Sequence, residues 1–182
     1  MKLRTKDMIL CAVFAAVLSV FSVMTIPIGI VPITMSVFGV LITAVILGWK
    51  KGLISTIIFI LLGCVGLPVF SGFKGGVQVL VGPTGGYITG YLLMVLVVGA
   101  VSDKIKTAKW QTAVLCLCIA CVVGVAICYI FGTIQYILIA EKTIGQALAL
   151  CVYPFIPLDM LKCIAAAGIG YTIRSRLEKT IY

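Results

Sequence analysis

The chain contains no histidine, and its carboxylates number only five: Asp7, Asp103, Glu141, Asp159 and Glu178. Without imidazole there is no histidine-based metal site and no histidine general base. No G-x-x-x-x-G-K-[ST] run occurs, so the chain does not itself bind ATP through a P-loop. No arrangement of serine or cysteine with a base suggests a hydrolase, and a membrane enzyme is the least favoured class. Charged residues make up 10% of the chain, against about 25% in an ordinary soluble domain. That scarcity leaves too little polar surface for a nucleic-acid patch, despite a formal net charge of +9.

What is present is apolar. Hydrophobic residues make up 63% of the 182 residues, and mean hydropathy is +1.29. Several apolar runs are long enough to cross a bilayer, so a water-soluble globule and a disordered chain are both excluded. The expected class is an all-α membrane protein forming a single transmembrane domain over residues 1–182. Six spans are expected, at about 8–26, 33–49, 53–69, 83–101, 111–131 and 157–173. The first run has a basic start but exceeds the apolar length of a signal peptide, so it reads as a retained helix.

The gaps between spans differ in charge. The N-terminus, the second-to-third gap, the fourth-to-fifth gap and the C-terminus hold eleven of the fourteen lysines and arginines. The other gaps hold only Lys74 and Lys142, and Lys162 lies within the last span. By the positive-inside rule both termini are expected in the cytoplasm, with Trp49 and Trp110 as interfacial anchors on that side. The outer segments 70–82 and 140–156 are longer than simple turns, as lids or ligand walls would be. No internal repeat suggests the two inverted halves of a secondary transporter.

Three constellations carry chemistry. In Pro157-Leu158-Asp159-Met160-Leu161-Lys162, the acid and the base are three apart, on one helix face near the outer end of the last span. Charges at such depth are costly and face a cavity or a partner; a structural cap with a local ion pair is the alternative. In Gly82-Pro83-Thr84-Gly85-Gly86-Tyr87, followed by Gly90-Tyr91, a helix start with little side-chain cover offers N–H groups to an anion; a turn with close helix packing explains it equally. Ala12-x-x-x-Ala16, with Ala15 and Ser19 nearby, is a small-residue stripe suited to internal packing or to a docked partner. Eight cysteines fall mostly within apolar runs. Even Cys118-x-x-Cys121, with apolar flanks and no second pair, reads as packing rather than redox or metal chemistry.

The order Gly66-Leu67-Pro68-Val69-Phe70-Ser71-Gly72-Phe73, Gly75-Gly76, Gly82-Pro83-Thr84-Gly85-Gly86-Tyr87 and Gly90-Tyr91, closed by Pro157-x-Asp159-x-x-Lys162, resembles the BioY family over essentially the whole chain. These are the biotin-specific substrate-binding subunits of energy-coupling factor (ECF) transporters. The resemblance implies the S-component fold and high-affinity capture of biotin from outside. It also implies assembly with a transmembrane coupling protein and two ABC-type ATPases, and toppling of the whole subunit during transport. No cofactor of its own is implied, since ATP is bound only by the partner subunits. The implied docking residues on the first helix are Ala12 and Ala16. For biotin, Asp159 would accept from the ureido N–H groups, and Lys162 would donate to the ligand or hold Asp159. N–H groups around Thr84, Gly85 and Gly86 would meet a carboxylate or carbonyl, Tyr87 and Phe73 would form apolar walls, and Gln78 would add a lesser polar contact. A stand-alone proton-coupled vitamin transporter switching on Asp159, and a ligand-free membrane scaffold, are the competing classes.

Overall fold

A computed structural model describes residues 4–26, 32–105 and 109–181, with residues 178–181 by backbone alone. Lys2 and Lys106, two of the bases counted on the charged side, lie outside the described residues. In hydrocarbon every backbone polar group must be bonded internally, and the apolar runs accordingly form helices. The order is α1 (Thr5–Val23), β1 (Thr25–Ile26), β2 (Ile33–Thr34), α2 (Ser36–Cys64), α3 (Gly85–Lys104), α4 (Trp110–Ala140), α5 (Ile144–Cys151) and α6 (Ile156–Ile181). Among the described residues five helices, α1, α2, α3, α4 and most of α6, are long and apolar enough to cross a membrane.

The second and third expected spans are the two arms of α2. At Gly48 the backbone adopts φ 74°, ψ −176°, a conformation open to glycine and strained for other residues. A methyl group built on Gly52 would lie 3.5 Å from the Ala44 Cα, whereas eight residues of straight helix would separate them by about 12 Å. The chain therefore reverses between residues 36–47 and 49–64, and a single glycine forms the corner where a charged gap was expected.

That corner is tied to two other helices. The Asp103 carboxylate, at the end of α3, accepts from the Trp49 backbone N–H at 3.2 Å and from Arg174 Nη2 of α6 at 2.7 Å. Arg174 Nη1 donates to the Val45 carbonyl at 3.1 Å and also to Ser102 Oγ. Lys51 pairs with Asp7 of α1 at 2.8 Å. This end of the bundle thus gathers Arg4, Lys50, Lys51, Lys104 and Arg174, while Lys74 and Lys142 stand at the other end.

The first expected span ends early and the second starts late. Thr25–Ile26 pairs antiparallel with Ile33–Thr34, so these β-branched residues form a small ribbon rather than helix. In α1, Cys11, Ala15, Leu18 and Ser22 are buried while Ala12 and Ala16 are exposed. The small-residue stripe is thus divided, with Ala15 packing inward and Ala12 and Ala16 facing out. All eight cysteines are free thiols. Between the two ends lies a solid core in which Val40, Leu41, Val45, Met94, Val95, Val98 and Leu117 are fully buried.

Candidate functional site

The end opposite the Gly48 corner encloses a cavity. Its empty space, open solvent at the mouth included, is about 800 Å3. Its walls come from the end of α1, the ribbon, α2, the loop before α3, α3, α4, α5 and the start of α6. Apolar and aromatic groups dominate, among them Val37, Phe70, Ile88, Tyr91 and Phe155, with a few polar groups converging.

Asp159 and Lys162 form the polar head of this cavity. α6 starts at Ile156, so Pro157 and Asp159 occupy its first turn, where proline costs no hydrogen bond and an acid is favoured by the helix dipole. The carboxylate does not fold back to cap that turn. Its Oδ1 lies 2.7 Å from Lys162 Nζ, and its Oδ2 accepts from the Tyr129 hydroxyl of α4 at 2.6 Å. Lys162 Nζ also donates to the Thr34 carbonyl of β2 at 2.8 Å. The two side chains are 2% and 10% exposed, so solvent screens the pair little. An ionised carboxylate accepts about four hydrogen bonds and an ammonium donates three. Asp159 therefore retains acceptor capacity and Lys162 one N–H, both beside open space.

Thr84 and Tyr87 also line the cavity. The Tyr87 hydroxyl donates to the Cys151 carbonyl at 3.3 Å, joining α3 to α5. Gly85 and Gly86 serve a different purpose from the one expected of a ligand-facing surface. A Cβ on Gly85 would collide with the Leu80 carbonyl, and one on Gly86 with the Phe131 carbonyl of α4. Gln135 reinforces this seam, donating through Nε2 to the Leu80 and Gly82 carbonyls at 2.7 and 2.8 Å. The Gly85 N–H is spent on Gly82 O and the Tyr87 N–H on Thr84 O. The helix start is thus a packing joint whose glycines back the cavity without lining it.

Phe73 and Gln78 stand outside the cavity. Phe73 is 70% exposed, and the exposed Gln78 donates to its neighbour Gly75 O at 2.8 Å. Phe70 supplies the wall that was expected of Phe73. Tyr129, Thr34, Phe70, Ser71, Lys74 and Phe155 were not anticipated as site residues. A sequence signal did exist for Tyr129: with Thr133 and Tyr136 it forms a polar stripe at i, i+4, i+7 on a mostly apolar helix. Another existed for α5, since Thr143-x-x-Gln146 is a capping box and both of its hydrogen bonds are formed.

The comparisons agree with this architecture. A biotin transporter of Thermotoga maritima is 36% identical over 93% of this chain and 96% of its own length. A probable biotin transporter of Pyrococcus horikoshii is 33% identical over 92% and 96%. A crystal structure of the S-component for biotin from an ECF-type ABC transporter superposes with a TM-score of 0.83 at 27% identity, covering 95% of each chain. The BioY family model matches residues 1–179, and the chain belongs to the BioY family.

Proposed function

We propose that this chain captures biotin from outside the cell and serves as the substrate-binding subunit of an ATP-driven ECF transporter. The observation that carries the proposal is the buried Asp159–Lys162–Tyr129 cluster at the head of a mostly apolar cavity, in a fold that matches a biotin S-component. Biotin pairs a ureido ring, with two N–H donors and a carbonyl, with an apolar sulfur ring and tail. The spare acceptor capacity of Asp159 suits the ureido N–H groups, the remaining Lys162 N–H suits the ureido oxygen, and Tyr91 and Phe155 suit the apolar body.

In the membrane the two arms of α2 act as separate spans, giving six. The basic end faces the cytoplasm and the cavity faces outward. The chain takes no cofactor, and energy comes from two ABC-type ATPases acting through a transmembrane coupling protein that docks on the exposed Ala12–Ala16 face of α1. The test is a titration of the purified protein with biotin, thiamine and riboflavin. Saturable binding of biotin alone is expected, and binding of either other vitamin in its place, or of none, refutes the proposal.

A further inference from the structure

Glycines in the spanning helices are packing positions, with one exception. A Cβ built on Gly86, Gly90, Gly99, Gly124, Gly132 or Gly170 would press against a neighbouring helix. Among the described glycines of these helices, Gly168 of α6 alone has nothing within 4 Å of its Cβ position. Its missing side chain costs helix propensity and leaves space that no part of the chain fills. That space belongs to an open groove on the outer wall, between α6 and the start of α4. Trp110, Ile164, Ala165, Gly168, Thr172 and Ile173 are among its lining residues. Ile164, Ile169 and Ile173 are exposed, so the groove opens towards hydrocarbon.

The mouth of the groove lies at the basic end of the bundle, where Arg174 of α6 meets Asp103 of α3. Trp110 begins α4 and is mostly exposed. Its indole N–H has no partner among the described residues. The exposed Lys109 precedes it and gives the helix start no side-chain cap. Arg176 is exposed and stands one turn beyond Thr172 on the same face of α6. The nearby carboxylate, Asp103, is already engaged by Arg174 and by the Trp49 N–H. An apolar slot thus ends in a surplus of positive charge beside a free N–H donor. A phospholipid with a net negative headgroup has that same division of chemistry.

We infer that this groove is a binding site for one anionic phospholipid. An acyl chain lies over Gly168, and the phosphate lies at the mouth, where Lys109 and the Trp110 indole donate to it. The groove is continuous with the lipid-facing wall of the bundle, and the charge at its mouth separates this lipid from zwitterionic ones. The site is remote from the cavity and independent of what the cavity binds.

The test is native mass spectrometry of the purified protein released from a neutral detergent, with equal amounts of phosphatidylglycerol and phosphatidylcholine of matched acyl chains. The unmodified protein should retain one phosphatidylglycerol, preferred by about fivefold or more, the worth of one basic residue near an anionic lipid. K109Q should lower that preference by about fivefold, and K109R should keep it. G168L, which fills the groove, should shed both lipids. K109Q changes an exposed side chain outside the core, so it keeps the test decisive whatever G168L does to folding. Equal retention of the two lipids by the unmodified protein, an intact preference in K109Q, or undiminished phosphatidylglycerol on a folded G168L overturns the assignment. A species of twice the chain mass that G168L abolishes gives the groove to a second copy of the chain and overturns it too.

Discussion

Replacing Lys162 by methionine removes the ammonium while keeping most of the stem's volume. Asp159 then keeps only the Tyr129 hydroxyl at 2.6 Å, and the Thr34 carbonyl loses its 2.8 Å donor. Both side chains are nearly buried, and breaking such a pair from one side costs about 3–5 kcal/mol. At about 2–4 °C per kcal/mol for a chain of this size, ligand-free melting should fall by about 6–20 °C. Asp159→Asn exchanges a charged double acceptor for an amide with one oxygen. Loss of one charge-assisted bond to the ligand, about 1.5–3 kcal/mol, lowers biotin affinity about ten- to a hundredfold. Lys162→Met should also weaken biotin, because it removes the remaining donor. Removing both partners of a buried pair is far less costly than removing one. The double variant should therefore melt above Lys162→Met, and its affinity loss should fall short of the summed single losses by about 0.5–3 kcal/mol. Calorimetric titration and ligand-free thermal unfolding on the same three variants supply both numbers. Strict additivity, or unchanged biotin affinity in both single variants, would refute the idea that this pair is the polar head of the site.

Gly85→Ala should cripple folding or biotin binding, because its methyl group would collide with the Leu80 backbone; Gly168→Ala, where nothing lies within 4 Å, should be neutral or stabilising by up to about 1 kcal/mol in thermal unfolding. Ala12→Trp with Ala16→Trp should block co-purification with the coupling protein while leaving biotin titration unchanged, since both residues face away from the cavity and the core; loss of binding with assembly intact would make the stripe an internal surface.

The helices were legible because apolar run length and the periodic placement of charge are local properties. Gly48 escaped because a positive φ leaves no trace in composition: Gly48-Trp49-Lys50-Lys51 reads as a polar gap, yet the reversal needs one residue and the helix resumes at once. The Asp159–Lys162 pair was legible from its i, i+3 spacing in hydrocarbon. Its third member, Tyr129, sits thirty residues away on α4, and only the packing of α4 against α6 brings it near. The loop was hardest. Phe70 and Phe73 are indistinguishable by type, and which one turns inward depends on the Phe70–Lys74 closure and on Gly63 leaving room for a ring. The glycines at 85 and 86 were visible, but a missing side chain serves a ligand and a neighbouring backbone equally well, and here the backbone of α4 and of the preceding loop fills the space.

The solid core beneath the cavity has a consequence for transport. Val40, Val45, Met94, Val95, Val98 and Leu117 separate the cavity from the opposite face with no measurable exposure, and the Asp103–Arg174 knot closes that face. Wetting those six side chains to make a path would cost on the order of 10 kcal/mol, at about 1.5–3 kcal/mol each. The molecule is a cup and not a pipe. For the proposed transport role, that cost weighs against a path through the subunit and favours carriage of the cargo by reorientation of the whole vessel.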